Sequence, residues 1–553
     1  MNRPGEYYNF TWDTIGRWAK VRPSADALYC VSMDQSAETK LSYAEVFRLA
    51  QQSANFLRAQ GISKGDRVVI MLPRIHEWWI LMLVLDLIGA ILAPATLLLT
   101  QCDLEFRISS CNPKAVITDE ENVSKLGFFD GIKIAVRGAP EGWVDYSKEV
   151  EKASDKFTYV PTRSDEAAVI YFTSATNSQP KMVVHSHASC SWAHRATGAL
   201  WLDLNPGDLH WNISDLGWAK AAWSSLYGPW HMGATIFAMN FKKFQTTKIL
   251  EAFDKYKINT LCAPPTAMRL MMKEDVASYK FPGLRHCVGA GEPLTQEIVQ
   301  VWKAATGLDI YEGYGQTETV CQIANVRSQH DKIKVGSMGR VMPGFHIEVL
   351  DDQQQPVPNG TEGEICIRCG DERPVGLFKE YWNNPEMTRQ AYKNGWYLTS
   401  DRAVRDEEGY FWFVGRTDDV IKSSDFRIGP KEVETTLMLH PAVHEAAVVG
   451  KPDAVRCQLV KAFVVLHDGV KGDKDLAYDI QKHCRALSAS YKLPREIEFV
   501  NMLPKTTTGK VRRATLRELE KQRAAICRQN IHAALNNQEN IFSLIKQPTG
   551  DGH

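Results

Sequence analysis

No charge of either sign dominates this chain: Lys+Arg and Asp+Glu both number 65, for a formal net charge of zero. Without a basic excess there is no long-range field of the kind that gathers nucleic acid, so a polyanionic partner is not expected. Pro- and Ser-rich tracts that mark long disordered arms are absent. The 12 cysteines follow no repeating spacing, which argues against a disulfide framework and suits buried thiols in a reducing compartment. Cys366 and Cys369 form the only Cys-x-x-Cys, and Glu364-Ile365-Cys366-Ile367-Arg368-Cys369 reads as a strand, not as half of a zinc site. Residues Met1 to Tyr8 lack the apolar stretch of a secretion signal and the Arg/Ser-rich composition of an import signal, which makes the cytoplasm the expected location. Long apolar runs are scarce too. Trp78 to Leu99 is the exception, but Asp86 interrupts it, Gly89 follows and Pro94 breaks it, so the expectation is a buried helix leading into a buried strand, with no transmembrane segment.

What is present is an ordinary globular composition, 44% hydrophobic and 24% charged, over 553 residues, enough for more than one folding unit. Ser42-x-x-Glu45 is a capping box opening a helix that Gly61 closes, and Arg67 to Leu72 reads as the next strand. Strand patterns recur at Ala115–Ile117, Ala167–Phe172, Ala234–Met239 and Thr260–Cys262, with a helix at Thr247–Tyr256. This alternation predicts an α/β fold, a large N-terminal domain of helix-covered, mostly parallel sheets. After about residue 335, short strands and turns predict a β-rich subdomain. Beyond Gly415 the pattern predicts a small α+β C-terminal domain, with a polar tail after Ile526.

The strongest local signal is Tyr171 to Lys181. A strand ends, a run of small and hydroxylated residues follows (Thr173, Ser174, Ala175, Thr176, Asn177, Ser178), and a lysine precedes the next element. Small side chains let backbone N–H groups approach phosphate oxygens, hydroxyls add donors, and Lys181 supplies a point charge, although such a turn alone is also compatible with plain solvent exposure. Gly289-Ala290-Gly291-Glu292-Pro293, Tyr311-Glu312-Gly313-Tyr314-Gly315-Gln316-Thr317-Glu318, and Thr399-Ser400-Asp401 with Gly415-Arg416-Thr417-Asp418 each join glycines to a carboxylate or an arginine that could hold a ribose, a base edge or a metal ion. Leu503 to Lys510 is a glycine-hinged loop tipped with lysine.

In this order, these segments resemble the adenylate-forming superfamily of acyl-CoA synthetases, peptide-synthetase adenylation domains and luciferases. Asn212 to Trp223 and Tyr227-Gly228-Pro229-Trp230 are most similar to the medium-chain acyl-CoA synthetases, and the resemblance spans roughly residues 5 to 525. It implies an AMP-forming acid–thiol ligase, in which a carboxylic acid attacks the α-phosphorus of ATP and the acyl group then passes to coenzyme A. It further implies an adenylation domain at 1–417, a mobile lid at 418–525 and a tail at 526–553. By the same resemblance Thr173, Ser174, Thr176 and Lys181 hold the triphosphate, Thr317 contacts phosphate, and Glu318 is the ligand of Mg²⁺. Gly291, Glu292 and Pro293 wall the adenine, Glu312, Gly313, Tyr314, Gly315 and Gln316 complete the nucleotide site, and Asp401 and Arg416 clamp the ribose. Asp418 is the hinge and Lys510 the catalytic lysine of the lid. Trp218, Ala219, Ala222 and Trp223 line or back the acyl pocket, with a core role as the alternative. His185 and His187 flank the phosphate loop and are expected in structural hydrogen bonds.

Two departures stand out. The family's phosphate-loop glycines are replaced here by Ala175 and Ser178 and a threonine by Asn177, and Asp425 stands where glycine is usual in the acceptor channel formed by Ser424, Asp425, Phe426 and Arg427. A carboxylate there repels a thiolate and attracts a cation, so an amine or a carrier-protein thiol remains an alternative acceptor to coenzyme A. A silent homologue that senses a nucleotide or acyl ligand is a third reading, opposed by the joint presence of Lys181, Glu318, Asp401, Arg416 and Lys510.

Overall fold

The computed structural model describes residues 3–536 except 174–179, 293, 295, 328–332, 371–372, 418, 424–425, 454–456, 489–491 and 507–508. The chain divides into two compact units. The first holds the N-terminal part of the chain with Pro180–Thr399 and Val404–Phe413, and the second holds Ser400–Ala403 and the chain from Val414 onward.

Two large sheets organise the first unit. The eight-stranded one is built on parallel pairing of Arg67–Met71, Ile91–Pro94, Ala115–Asp119 and Ala167–Thr173, with Lys181–Ser186 and Glu380–Tyr381 added antiparallel at one edge. The nine-stranded sheet runs parallel through Asp26–Ser32, Leu209–Asn212, Thr235–Asn240, Thr260–Ala263, His286–Ala290 and Ile310–Tyr314, and its outer strands are antiparallel. These strands are buried on both faces, which is why they read as continuous apolar runs without alternation. Ser42 and Glu45 form the expected capping box on the helix Tyr43–Ala59.

The apolar run resolves as the helix His76–Ile88, which stops at Gly89, followed by the strand Ile91–Pro94; almost every residue in it is buried. The helix ends at Gly89, earlier than a stop at Pro94 would put it, because Pro94 already lies in the strand. Asp86 is engaged inside the core: its carboxylate accepts the Thr11 amide at 2.8 Å and meets His187 Nδ1 at 3.1 Å. Among the described residues no helix is long and apolar enough to cross a membrane.

The β-rich subregion is a five-stranded sheet of Ile347–Leu350, Glu362–Arg368, Tyr392–Lys393, Trp396–Arg405 and Phe411–Arg416, with Cys366 inside its second strand. In the second unit another five-stranded sheet, including the long hairpin Val443–Asp453 and Cys457–Leu466, packs against the helices Pro430–Met438 and Lys474–Leu487. Its last helix, Arg513–Asn536, runs ten residues into the segment read as a tail from sequence. Arg513 anchors it with a two-pronged contact to the buried Glu434, Nε and Nη2 donating at 2.9 and 2.6 Å, while Glu434 also accepts the Val448 amide at 2.9 Å. Arg517, one turn further along this helix, pairs with Asp419.

Candidate active site

The phosphate-type loop joins two paired strands. Thr173 ends one strand and Lys181 begins the next, and the two residues face each other in register. Ser174, Ala175, Thr176, Asn177 and Ser178 lie outside the described residues.

Two residues beyond Val183 the same strand presents His185, whose Nε2 donates to the Thr317 carbonyl at 2.7 Å. Since Nε2 carries the proton, Nδ1 accepts from the Ser189 hydroxyl at 3.1 Å, which fixes the neutral tautomer. Burial pushes the imidazole down to about 4, so it holds this position as a neutral donor near pH 7.

The stretch Glu312 to Glu318 begins in the strand Ile310–Tyr314 and turns out of the sheet. Gln316 is held at both ends of its amide: Nε2 donates to the Thr399 carbonyl at 2.7 Å and Oε1 accepts from the Tyr397 hydroxyl at 3.0 Å. Glu318 Oε1 accepts from the Tyr381 hydroxyl at 2.8 Å, and the Lys181 ammonium lies 5.3 Å from the centre of the same Tyr381 ring. Burial together with the Glu318 charge pushes the Tyr381 hydroxyl far above the ordinary phenol range, so it acts as a donor at every working pH. The tertiary structure thus gathers Thr173, Lys181, Thr317 and Glu318 with two residues that carry no local motif, His185 and Tyr381.

Gly313 and Gly315 are required by close approach. A Cβ on Gly313 would stand 2.5 Å from the Trp201 ring, and one on Gly315 would stand 2.4 Å from the Val320 carbonyl and 2.5 Å from the Trp223 ring. Trp223 packs in the core behind the 313–315 segment, edge-on to Trp201 and buried with Ala222, whereas Trp218 and Ala219 are half-buried. Lys220, in the short helix Ala219–Ala221, donates to the Ala290 carbonyl at 2.8 Å and so ties this segment to the Gly289–Gly291 stretch. Sequence reading passed over Lys220 although it sits inside a quoted motif; its partner is 70 residues away. Glu312 is buried beside the paired strand of Gly289, and burial pushes its carboxyl up to about 8. Glu292 is turned to Thr266 and Arg269, both within 3.1 Å; Gly291 is exposed beside it, and Pro293 lies outside the described residues.

In the second unit Arg416 Nη1 meets Asp401 Oδ1 at 3.1 Å, and the Thr417 amide donates to the Ser400 carbonyl at 2.8 Å. Lys510 is exposed at a tight hairpin: its amide donates to Thr506 Oγ1 at 3.1 Å, the Thr506 amide donates to its carbonyl at 2.8 Å, and Lys505 pairs with Val511. Asp418, Ser424 and Asp425 lie outside the described residues, as do the side chains of Phe426 and Arg427 on the strand Phe426–Ile428.

The family model for AMP-binding enzymes matches residues 15–382, and that for the AMP-binding enzyme C-terminal domain matches 432–510. Acyl-coenzyme A synthetase ACSM3, mitochondrial, of Rattus norvegicus is 42% identical over 530 residues, covering 93% of this chain and 91% of its own. ACSM4, mitochondrial, of the same species is 40% identical, covering 94% and 91%. Among solved structures, the anthranilate CoA ligase AuaEII in complex with anthranoyl-AMP superposes with a TM-score of 0.83 at 28% identity, covering 94% of this chain and 99% of that one. With paired strands framing a phosphate-type loop, a tethered Thr317–Glu318 turn and this match over nearly its whole length, the chain belongs to the AMP-binding enzyme family, among its acyl-coenzyme A synthetases, which are AMP-forming acid–thiol ligases.

Proposed function

We propose that the protein activates a medium-chain or related carboxylic acid with ATP as acyl-AMP and transfers the acyl group to coenzyme A. The observation that carries this reading is the gathering of Lys181, Thr317 and Glu318 at the paired ends of the phosphate-type loop.

The first half-reaction joins two anions. The acid is already ionised at neutral pH, so no general base is needed, and the barrier lies in bringing the carboxylate to the α-phosphorus and in stabilising the charge that passes to pyrophosphate. In this reading Thr173, Ser174, Thr176 and Lys181 hold the triphosphate, and Thr317 adds a hydroxyl. The Glu318 carboxylate, one oxygen held by Tyr381, suits a hard cation that brings its remaining oxygens from phosphate and water, as Mg²⁺ does. When bound there, Mg²⁺ would neutralise charge on the phosphates. Gly291, Glu292 and Pro293 bound the adenine, Glu312 to Gln316 complete the nucleotide site, and Asp401 with Arg416 hold the ribose. Trp218 and Ala219 line the acyl pocket, with Ala222 and Trp223 behind them.

The functional division is proposed at 417/418, with Asp418 as the hinge and the 418–525 unit as a lid. Its Lys510 bridges the acyl carboxylate and the phosphate during adenylation and withdraws for thioester formation, where Ser424, Asp425, Phe426 and Arg427 border the acceptor channel. The cysteines of the described residues are free thiols, most of them buried, in keeping with a reducing compartment; cell fractionation distinguishes the cytoplasm from the mitochondrion named for the relatives.

The deciding measurement is acid-dependent pyrophosphate release with ATP and Mg²⁺ over a panel of carboxylic acids, with and without coenzyme A, products being identified by mass spectrometry. Acyl-CoA is the expected product. Release that coenzyme A does not accelerate, with acyl-AMP or an amide as the product, would overturn the acceptor; nucleotide binding without turnover on any acid would overturn the activity.

A further inference from the structure

Lys181 and Glu318 carry opposite charges and both meet one aromatic residue, Tyr381, yet they form no ion pair with each other. Among the described residues only Tyr381 donates to the Glu318 carboxylate, at 2.8 Å to Oε1, while the Lys181 ammonium sits 5.3 Å from the Tyr381 ring centre. We propose that Tyr381 is a positioning residue for adenylation: its ring keeps the lysine and the glutamate from neutralising each other, and its hydroxyl orients the carboxylate so that the other oxygen serves a cation. The inference rests on the reading of Lys181 as a triphosphate ligand and Glu318 as a metal ligand, and it adds the residue that makes both available together.

The placement of Tyr381 is firmly set. Its strand Glu380–Tyr381 pairs antiparallel with the strand that Lys181 begins, Tyr381 opposite Val183, and its amide donates to Thr388 Oγ1 at 3.0 Å. Phe378 packs on the ring at 4.7 Å between centroids, and Tyr381 is almost wholly buried. A ring so fixed has little rotational freedom left to lose when substrate arrives. Physically the arrangement solves a conflict. A lysine and a glutamate free to meet would gain by forming a salt bridge, and each would then need to be prised from the other before it could meet phosphate or cation. A phenol satisfies both at lower cost, the ring face attracting the ammonium and the hydroxyl using only one carboxylate oxygen.

Tyr381→Phe keeps the ring and removes the donor, and Tyr381→Leu removes both. Mn²⁺ binding with a non-hydrolysable ATP analogue, read by water-proton relaxation, is compared with the Mg²⁺ dependence of acid-dependent pyrophosphate release. Tyr381→Phe is expected to weaken Mn²⁺ binding about tenfold and to raise the Mg²⁺ requirement in parallel, with the KM for the acid and the Tm unchanged, since a hydrogen bond to a charged group is lost. Tyr381→Leu is expected also to raise the KM for ATP. In a double-mutant cycle, Tyr381→Phe should add nothing to Glu318→Gln. Wild-type Mn²⁺ affinity in Tyr381→Phe, with affinity lost in Glu318→Gln, overturns the proposal alone. Unchanged affinity in Glu318→Gln overturns the metal-ligand reading and the proposal with it.

Discussion

His185 Nε2 donates to the carbonyl oxygen of Thr317 at 2.7 Å, so a strand of the eight-stranded sheet holds a turn that leaves the nine-stranded one. The bond crosses 132 positions of chain. An imidazolium would donate here as well, and this bond by itself favours the charged ring, but burial outweighs it and pushes the group from 6.5 down to about 4. In the unfolded chain the same histidine takes up its proton near 6.5, so between these values the unfolded state binds more protons and stability falls as pH falls. His185→Gln retains a donor and cannot titrate; it is expected to reduce the acid slope of stability, measured by urea unfolding from pH 6.5 to 4, by about one proton. An unchanged slope would place the histidine outside the acid response.

Glu312 has the opposite sign. Its carboxyl is raised from 4.5 to about 8 by burial, so the folded state binds the extra proton and stability is lost as pH rises from 4.5 through 8. Glu312→Gln mimics the protonated form. The variant should match the parent below pH 5 and exceed it in stability at pH 9, as read by Tm across that range.

Gly315→Ala places a methyl against the Val320 carbonyl and the Trp223 ring. Overpacking of this kind costs about 2 kcal/mol, enough to lower the Tm of so large a unit by roughly 2 °C, and moves the Gln316–Glu318 turn. The KM for ATP should rise with it. Combining the change with Trp223→Leu should cost less than the sum of the two single variants, because the leucine vacates part of the space; strict additivity would show that the ring is not the obstacle.

Glu434→Ala removes the buried carboxylate that takes both prongs of the half-buried Arg513, leaving it Asp419 at 3.9 Å. Losing a two-pronged hydrogen bond between charged groups costs about 2 kcal/mol, so the unfolding of the C-terminal unit should shift to lower urea. Removal of both partners, by pairing Glu434→Leu with Arg513→Leu, is expected to recover much of the loss.

Lys510→Ala should nearly abolish acid-dependent pyrophosphate release and leave thioester formation from supplied acyl-AMP largely intact, each half-reaction being followed by product mass spectrometry. Equal loss in both halves would count against a lysine that serves adenylation alone.

What local chemistry can write is legible along the chain: the capping box at Ser42 and Glu45, the buried helix and strand of the apolar run, the alternation of strands and helices, and the glycine-, hydroxyl- and carboxylate-bearing segments at 171–181 and 311–318. Each depends on neighbours within a few residues, where side-chain period and backbone preference act directly. Tertiary structure alone decided which of these segments meet, and through whom. Tyr381 stands in a two-residue strand with no motif of its own, and its importance comes from pairing beside Val183 and reaching Glu318. Trp223 reads equally well as pocket or as core until Gly315 is found pressed against it. The pKa values of His185 and Glu312 are likewise invisible in one dimension, because desolvation depends on every atom that folding packs around a group and not on the residues beside it in the chain.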